Sequence, residues 1–361
     1  MKFIEEFRNK DLVKALVRRL GDLAAPAIIM EVCGTHTMAA ARFGLKSLLP
    51  EKVKLISGPG CPVCVTDQHD LDKFLALGDQ PRTVLASFGD MLRVPGSYTS
   101  LEKERARGAD VRFVYAPLDA LDWACGEPDK QVVFFGVGFE TTMPTTALAV
   151  KTAAAMGLDN FSLFCVHKTM PGALRGLLSG GEVQVSGLLL PGHVTTIIGA
   201  GAYEFIPREF GVPGAVTGFE PLDMLLGVEA ILRQLQEGRP RVDNVYPRAV
   251  QVQANPQARA LLEEVFEPGD ALWRGLGVIP GSGVKIRGEY EKFDAQARFA
   301  PILAQVPPPP PSACRCGEVL RGVLHPRDCP LFNKACNPSQ PLGPCMVSSE
   351  GACAAAYRYE R

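Results

Sequence analysis

The sequence has no long hydrophobic run, no excess of either charge and no export signal. A membrane-spanning helix needs roughly 18 uninterrupted apolar residues, but the apolar run at 132–139 is too short and the one at 188–198 is broken by Pro191 and His193. Lys and Arg number 38 against 39 Asp and Glu, without the basic stripe of nucleic-acid-binding proteins. These absences exclude membrane-spanning and nucleic-acid-binding functions from the prediction.

Residues 1–9 mix Lys, Glu and Arg and lack an apolar segment of signal-peptide length, which predicts a cytoplasmic protein. In the cytoplasm thiols are kept reduced, so eleven cysteines indicate metal or redox chemistry rather than a disulfide framework. The cysteines fall into an early cluster, two isolated positions and a crowded tail. They are Cys33, Cys61 and Cys64; Cys125 and Cys165; and Cys314, Cys316, Cys329, Cys336, Cys345 and Cys353.

The order of apolar runs and helical patterns predicts an α/β protein with two lobes, each a parallel sheet with flanking helices. A chain of 361 residues is too long for one small core. The predicted strands cover 27–32, 53–57, 83–88, 111–115, 132–137, 161–166, 186–190 and 215–218, and the clearest helices cover 11–24, 67–77, 142–156, 221–235 and 255–265.

Four segments are predicted along the chain. Residues 1–25 form an N-terminal helix, 26–125 a first α/β domain and 126–241 a second. Residues 242–361 form a C-terminal region of helices and irregular segments. In it, five prolines at 307–311 act as a stiff, extended spacer before the cysteine-rich tail.

The first candidate site is Cys33, which follows a predicted strand and precedes a helix in the segment EVCGTH. Functional groups gather at the carboxyl ends of parallel strands, and a helix N-terminus favours a thiolate there. His36, three residues further on, suits a proton carrier, a second metal ligand or a partner of the thiolate. The alternative from this segment alone is a buried structural cysteine beside a helix cap.

The second candidate is the pair Cys61 and Cys64 in GPGCPVC, again between a strand and a helix. The C-x-x-C spacing places two sulfurs within reach of one disulfide or one metal. Half of a structural zinc site, with His69 as a further ligand, is the alternative. Because the two strands are successive, we expect Cys33, His36 and this pair to converge on one cleft.

The tail is the third candidate. Four thiolates suit a 4Fe-4S cluster or a structural zinc ion, and spacing alone does not separate the two. The surplus pair is typical of a dithiol that exchanges electrons. The four candidate ligands are Cys314, Cys329, Cys336 and Cys353, and the surplus pair is Cys316 and Cys345.

Weaker features lie elsewhere. The segment 136–142 follows a strand and opens a helix, so that its amides are placed to hold an anion, although Glu140 equally suits a first helical turn. For His193, which follows a predicted strand and precedes a helix, a role in a site and a role as a structural cap are equally supported. Cys125, Cys165 and His167 are predicted to be core residues, because cysteine is among the most buried residue types.

Five segments in order resemble one family closely: CGTH at 33–36, GPGCPVC at 58–64, GFETT at 138–142, PGHVTT at 191–196 and the spaced cysteines of the tail. Together they resemble the HypD family of hydrogenase maturation factors, from about residue 30 onwards. The pattern departs at Met38, where relatives carry a second histidine, so a role of that histidine would be absent here or taken by another group.

The resemblance implies an assembly scaffold rather than a turnover enzyme. On it, an iron carrying two cyanides and one carbon monoxide is built in complex with the chaperone HypC and with HypE, which receives cyanide made with HypF. By the same resemblance Cys33 holds this transient Fe(CN)2CO iron with His36 close by, and Cys61 and Cys64 are redox-active. The four tail ligands hold a 4Fe-4S cluster, which Cys316 and Cys345 link to the cleft as in ferredoxin-thioredoxin reductase.

Two rival functions remain from the residues alone. A ferredoxin-linked thiol-disulfide reductase would need the C-x-x-C pair and the tail but not Cys33. A zinc-stabilised interaction protein would need only the tail ligands.

Overall fold

The computed structural model describes residues 5–23, 25–181 and 184–360. Its strands form two parallel sheets and one antiparallel hairpin. The predicted α/β class with two parallel sheets is therefore confirmed, as is each of the eight predicted strands. The strands are Ala27–Glu31 (β1), Val53–Ser57 (β2), Thr83–Phe88 (β3), Asp110–Val114 (β4), Gln131–Gly136 (β5), Phe161–Cys165 (β6), Gly187–Pro191 (β7), Gly214–Thr217 (β8), Val242–Asn244 (β9), Phe266–Trp273 (β10) and Gly277–Ile286 (β11).

Helices cover the sheets, and the predicted ones are found within one or two residues of their expected ends. Ala24, the predicted end of the first helix, lies outside the described residues. The helices are Lys10–Leu23 (α1), Gly34–Arg42 (α2), Leu45–Leu48 (α3), Pro62–Val65 (α4), Gln68–Ala76 (α5), Leu101–Ala106 (α6), Asp119–Gly126 (α7), Met143–Ala155 (α8), Met170–Ser179 (α9), Gly192–Ile198 (α10), Pro221–Glu237 (α11), Pro256–Val265 (α12), Ala295–Arg298 (α13), Ala300–Leu303 (α14), Cys316–Leu320 (α15), Pro344–Val347 (α16) and Ala352–Tyr359 (α17).

The first sheet has the strand order β2-β1-β7-β8-β9, and the second has the order β4-β3-β5-β6. The first sheet therefore takes its strands from two separate parts of the chain, before residue 58 and after residue 186, with the whole second sheet between them. The predicted ranges 26–125 and 126–241 do not coincide with this division of strands. The division of the chain into domains stays a prediction.

Alternate residues of the strands pack on opposite faces, as a strand with period 2 requires. In β1, Ile29 packs among residues of α1 and α11, whereas Met30 faces the core that the two sheets share. Both faces are buried, which explains why the strands read as continuous apolar runs. Among the described residues, no helix combines the length and apolar character needed to cross a membrane.

The hairpin of β10 and β11 is not predicted from the sequence. Its strands contain Gly269, Gly281, Gly283 and two prolines, so they lack the apolar alternation of an ordinary strand. A bulge between Gly269 and Ala271 interrupts the pairing. Buried Trp273 donates a hydrogen bond of 2.7 Å from Nε1 to Ser282 Oγ. The predicted irregular character of residues 242–361 is otherwise found, with short helices and the prolines 307–311 outside helices and strands.

Three aromatic rings join the second sheet to α5 inside the shared core. Phe135 stacks on Phe74 with ring centroids 4.3 Å apart and meets the edge of Phe164 at 5.6 Å. All three side chains are fully buried. The cluster ties the helix that follows the C-x-x-C pair to the second sheet.

We expect Phe135→Ala to lower the free energy of unfolding by about 3 to 5 kcal/mol, because it leaves a cavity among fully buried rings. The matched control is Phe113→Ala on β4, where the side chain is 44% exposed. The control should lower the free energy of unfolding by about 1 kcal/mol or less. Urea denaturation of both variants measures the difference, and similar losses would contradict this account of the core.

Candidate functional site

A cavity of about 370 Å³ opens at the carboxyl ends of β1, β2 and β7. Parallel pairing of β1 with β2 and with β7 brings these strand ends together. The loops after the second sheet complete the wall from the opposite side. The lining residues are Cys33, Thr35, Gly60, Pro62, Phe139, Thr141, Met170, Pro191, His193, Val194, Thr196, Ile197 and Glu350.

Cys33 and the C-x-x-C loop are held together by their backbones. The Gly34 amide donates a 2.9 Å hydrogen bond to the Gly60 carbonyl. A Cβ at Gly60 would lie 2.2 Å from the Cys33 nitrogen, so only glycine allows this approach. A Cβ at Gly34 would be 3.1 Å from the Cys61 Cβ. The structure thus brings Cys33 beside the C-x-x-C pair, as the succession of the two strands predicts.

The Cys33 side chain is 8% exposed and precedes the first turn of α2. Burial raises the pKa of its thiol to about 12, and the negative charge of Glu350 adds to the rise, although hydrogen bonds at the start of α2 oppose it. Desolvation thus acts against the expected thiolate and outweighs the hydrogen bonds of the helix N-terminus. The role of Cys33 as a thiolate stays a prediction.

Cys61 and Cys64 are joined in a disulfide with their Cα atoms 5.2 Å apart. Cys61 caps α4, its sulfur accepting a 3.2 Å hydrogen bond from the Cys64 amide, and Pro62 takes the first helical position. Both residues are buried, at 3% and 0% exposure. The Ser348 hydroxyl lies 3.4 Å from Cys61 Sγ, so the tail reaches the pair directly.

His36 follows the lining residues Cys33 and Thr35 in the sequence but does not itself line the cavity. It is fully buried, and its Nε2 lies 3.0 Å from the Gly218 carbonyl, which assigns the proton to Nε2. Burial lowers its pKa to about 4. Nδ1 is buried without a hydrogen-bond partner. His36 is therefore neutral at pH 7, and its proposed roles of ligand or proton carrier stay predictions.

His193 lies in the cavity wall, and the sequence alone did not separate a site role from a cap. Its ring is exposed and stacks on Phe219 with centroids 3.9 Å apart, and Phe219 in turn lies 4.8 Å from the His36 ring. Although the residue is exposed overall, partial desolvation of its ring lowers the pKa of His193. The stack thus connects the two histidines across one phenylalanine.

Two carboxyl groups complete the surroundings of the cavity. Glu350 accepts a 2.6 Å hydrogen bond from the Thr35 hydroxyl and lines the cavity. Sequence reasoning missed it, because it lies in the tail and no local pattern marks it. Glu140 is buried next to two lining residues, and its Oε1 accepts a 2.9 Å hydrogen bond from the Met170 amide. Burial raises the pKa of Glu140 to about 7.

The tail cysteines are grouped, and their side chains affect one another. Cys314 and Cys345 both affect the pKa of Cys316. Burial raises the pKa of Cys353, and the charges of Cys314 and Cys336 add to the rise. Within the described ranges, no three His, Cys, Asp or Glu side chains lie at metal-holding distance. The four predicted ligands are close enough for the charges of the other three to affect Cys353, but not at metal-holding distance in the described ranges, and their role as a cluster site stays a prediction.

The isolated cysteines and His167 differ in their positions. Cys125 is exposed, so its predicted place in the core is wrong; it lies in the last turn of the short helix α7, at the surface. His167 is buried as predicted, with Cys165 Sγ 3.7 Å from its Nδ1. Burial lowers the pKa of His167 to about 3 and raises that of Cys165 to about 12. Both are neutral, so they form no reactive ion pair.

We expect Glu350→Gln to speed alkylation of Cys33 in the metal-free protein roughly tenfold at pH 8. The substitution removes a negative charge that raises the pKa of Cys33, so a larger fraction becomes thiolate. Glutamine can still accept the hydrogen bond from Thr35. Peptide mass spectrometry after iodoacetamide treatment measures the rate.

Glu102→Gln on the surface is the control for this experiment, since its side chain is 65% exposed. It should leave the Cys33 rate unchanged. An equal rate in Glu350→Gln and in the unsubstituted protein would mean that burial alone sets the pKa of Cys33.

Comparison with known proteins assigns the chain to a family. A family model described as "HypD: Hydrogenase formation hypA family" matches residues 9–360. "Hydrogenase maturation factor HypD" of Rhizobium leguminosarum bv. viciae is 46% identical, covering 100% of this chain and 96% of that protein. Its namesakes from Escherichia coli (strain K12) and Azotobacter vinelandii are also 46% identical, over 99% and 97% of their lengths. This chain belongs to the HypD family of hydrogenase maturation factors.

Proposed function

We propose that this chain is a cytoplasmic assembly scaffold that carries iron on Cys33 while the Fe(CN)2CO group of nickel-iron hydrogenases is built. The observation that carries the proposal is that Cys33 and Glu350 line one cavity, with the buried Cys61–Cys64 disulfide in the loop directly behind its wall. A thiol and a redox-active pair within one small site suit the handling of a soft, strong-field iron centre. By the same proposal, HypC and HypE act as the partners at this cavity.

Iron would be cargo here, and the protein's first contribution is a ligand that is neutral until the metal arrives. Because the pKa of Cys33 is raised to about 12, iron binding must release the thiol proton. The affinity for iron should therefore rise with pH over the whole range below that pKa.

The Cys61–Cys64 pair supplies the redox chemistry of the cavity. Reduction of its disulfide takes up two electrons and two protons. The resulting dithiol can pass two electrons and two protons to a thiocyanate group on a partner, and its disulfide forms again. The thiocyanate is thereby split into a thiol and a cyanide ion. One of the two protons stays on the thiol and the other is released. Cys61, as the cap of α4, has the amide of Cys64 available to stabilise its thiolate.

The tail would hold a 4Fe-4S cluster through Cys314, Cys329, Cys336 and Cys353. Four soft thiols fit such a cluster chemically, and Gly343 leaves room at one of them, since a Cβ there would lie 2.4 Å from Cys314 Sγ. When bound, the cluster would supply single electrons to this region. Cys316 and Cys345 lie on α15 and α16, which both contact α4, and this supports their role as a second dithiol.

We expect Cys33→Ala to abolish the cyanide and carbonyl stretching bands in the infrared spectrum of the complex with HypC, because the iron loses its ligand on this chain. Reduction of an added disulfide by Cys61 and Cys64 should survive. Cys125→Ala is the control, because it removes an exposed cysteine that does not line the Cys33 cavity. It should retain both properties. Bands that persist without Cys33 would refute the scaffold.

The same variant separates the proposal from a ferredoxin-linked thiol-disulfide reductase. If Cys33→Ala left hydrogenase maturation intact while loss of Cys61 or Cys64 stopped it, the redox enzyme would be favoured. Loss of both disulfide reduction and the infrared bands in Cys33→Ala would indicate one common redox site.

Metal analysis after anaerobic purification tests the tail. We expect about four iron atoms and four acid-labile sulfides per chain, and a large loss of both in Cys353→Ala. Cys125→Ala should keep the full content. Zinc in place of iron and sulfide would show the tail to be a structural zinc site, contradicting the cluster.

A further inference from the structure

A second cavity, of about 630 Å³, lies beside the tail and is separate from the residues that line the Cys33 cavity. Its walls come from the proline run, the loop between β10 and β11, and the start of α15. Pro309–Pro311 form one side, with Arg274 and Gly275 on another. The chain packs closely at this point, because Cα of Gly317 would lie 2.2 Å from a Cβ at Gly275.

Two cysteine residues line this cavity, Cys314 and Cys316. Cys316 is only 6% exposed, so reagents reach it through the cavity rather than from an open surface. Helix α15, which begins at Cys316, and helix α16, which carries Cys345, both pack against α4, the helix of the C-x-x-C pair. Cys316 therefore lies on a helix that borders both the cavity and the helix of the Cys61–Cys64 disulfide.

Positively charged side chains predominate among the charged residues that line the cavity. Arg274, Arg315 and Arg321 contribute guanidinium groups, and Glu318 is the single carboxylate among the lining residues. Arg315 pairs with Glu318. The walls thus carry a net positive charge where an anion would enter.

Arg274 is held in position for binding. Its Nε donates a 2.9 Å hydrogen bond to the Thr66 carbonyl, and its Nη1 donates a 2.7 Å bond to Gln68 Oε1. Its Nη2 is buried and has no hydrogen-bond partner. A fixed guanidinium with one unpaired terminal nitrogen is suited to a carboxylate.

We propose that this cavity binds a small anionic thiol of about tripeptide size, whose sulfur exchanges with Cys316. The cavity has the volume of an ordinary small-molecule site, a positive lining and one reachable sulfur outside the predicted cluster ligands. The proposal rests on the proposed function, in which Cys316 and Cys345 form a redox pair. It adds the class of reductant that this pair accepts.

The exchange balances as ordinary thiol-disulfide chemistry. The thiolate of the bound molecule attacks Sγ of Cys316 in an oxidised Cys316–Cys345 pair, forming a mixed disulfide and releasing Cys345 as a thiolate that takes up a proton. A second molecule of the thiol attacks the mixed disulfide. The products are two cysteine thiols and one disulfide of the small thiol, so two electrons enter the protein.

The test follows mixed-disulfide formation on the full-length protein carrying Cys345→Ser, which removes the proposed redox partner of Cys316. Glutathione disulfide is the anionic probe, and 2-hydroxyethyl disulfide is the neutral one. Mass spectrometry measures both rates at Cys316 and at exposed Cys125. We expect the anionic-to-neutral rate ratio at Cys316 to exceed that at Cys125 about tenfold, and to fall at high salt.

Substitutions at the arginines identify the cause. Arg274→Gln and Arg321→Gln, made separately, should each reduce the ratio at Cys316 severalfold while the neutral rate stays constant. The constant neutral rate shows that the cavity is still folded. Arg259→Gln on α12, whose side chain is 67% exposed, is the control and should change nothing.

Equal ratios at Cys316 and Cys125, or a ratio unaffected by both arginine substitutions, would overturn the proposal. Neither measurement needs iron, HypC or a hydrogenase. Selective labelling in a protein that forms no cyanide and carbonyl bands would refute the scaffold and retain the anion site. The reverse result would retain the scaffold and remove this site.

Discussion

The parallel pairing of β1 with β2 is the constraint on which the candidate site depends. It sets the two strand ends side by side, and the hydrogen bond from the Gly34 amide to the Gly60 carbonyl fixes the loops that follow. The approach is so close that no side chain fits at Gly60. Cys33 is consequently buried against the C-x-x-C loop, and this burial governs its protonation state more than the adjoining helix does.

The tail forms part of the site through contacts as well as through its cysteines. Ser348 reaches Cys61, and Glu350 binds Thr35, from a segment that lies between Cys345 and Cys353. A change in how the tail is ordered would therefore move a hydroxyl and a carboxylate at the Cys33 cavity. The metal chemistry proposed for the tail and the chemistry proposed for the cavity thus share one short stretch of backbone.

The sequence predicted the parallel strands well because each is a short apolar run followed by a helical pattern. The convergence of Cys33 with Cys61 and Cys64 was predictable for the same reason, since successive strands are often neighbours. Glu350 was not predictable, because its position depends on how an irregular, distant segment packs. The hairpin of β10 and β11 was not predicted, because its glycines and prolines interrupt the alternation of apolar and polar residues that is typical of a strand.

Charge states were the least predictable property. The helix N-terminus at Cys33 suggested a thiolate, but full burial acts in the opposite direction and is invisible in local sequence. Cys125 shows the converse error, since a residue type that is usually buried lies at the surface here.

The interleaved order of the first sheet has a consequence for the folding of the chain. β1 lies between β2 and β7. The edge of β1 that pairs with β7 therefore stays unpaired until all four strands of the second sheet have been synthesised. The bond between Thr35 and Glu350 then joins residues 315 positions apart, and the contact between Cys61 and Ser348 joins residues 287 positions apart. Closing such long loops is slow. A chain emerging from the ribosome would therefore expose Cys33 early but complete the cavity around it only after Ser348 and Glu350 have been made.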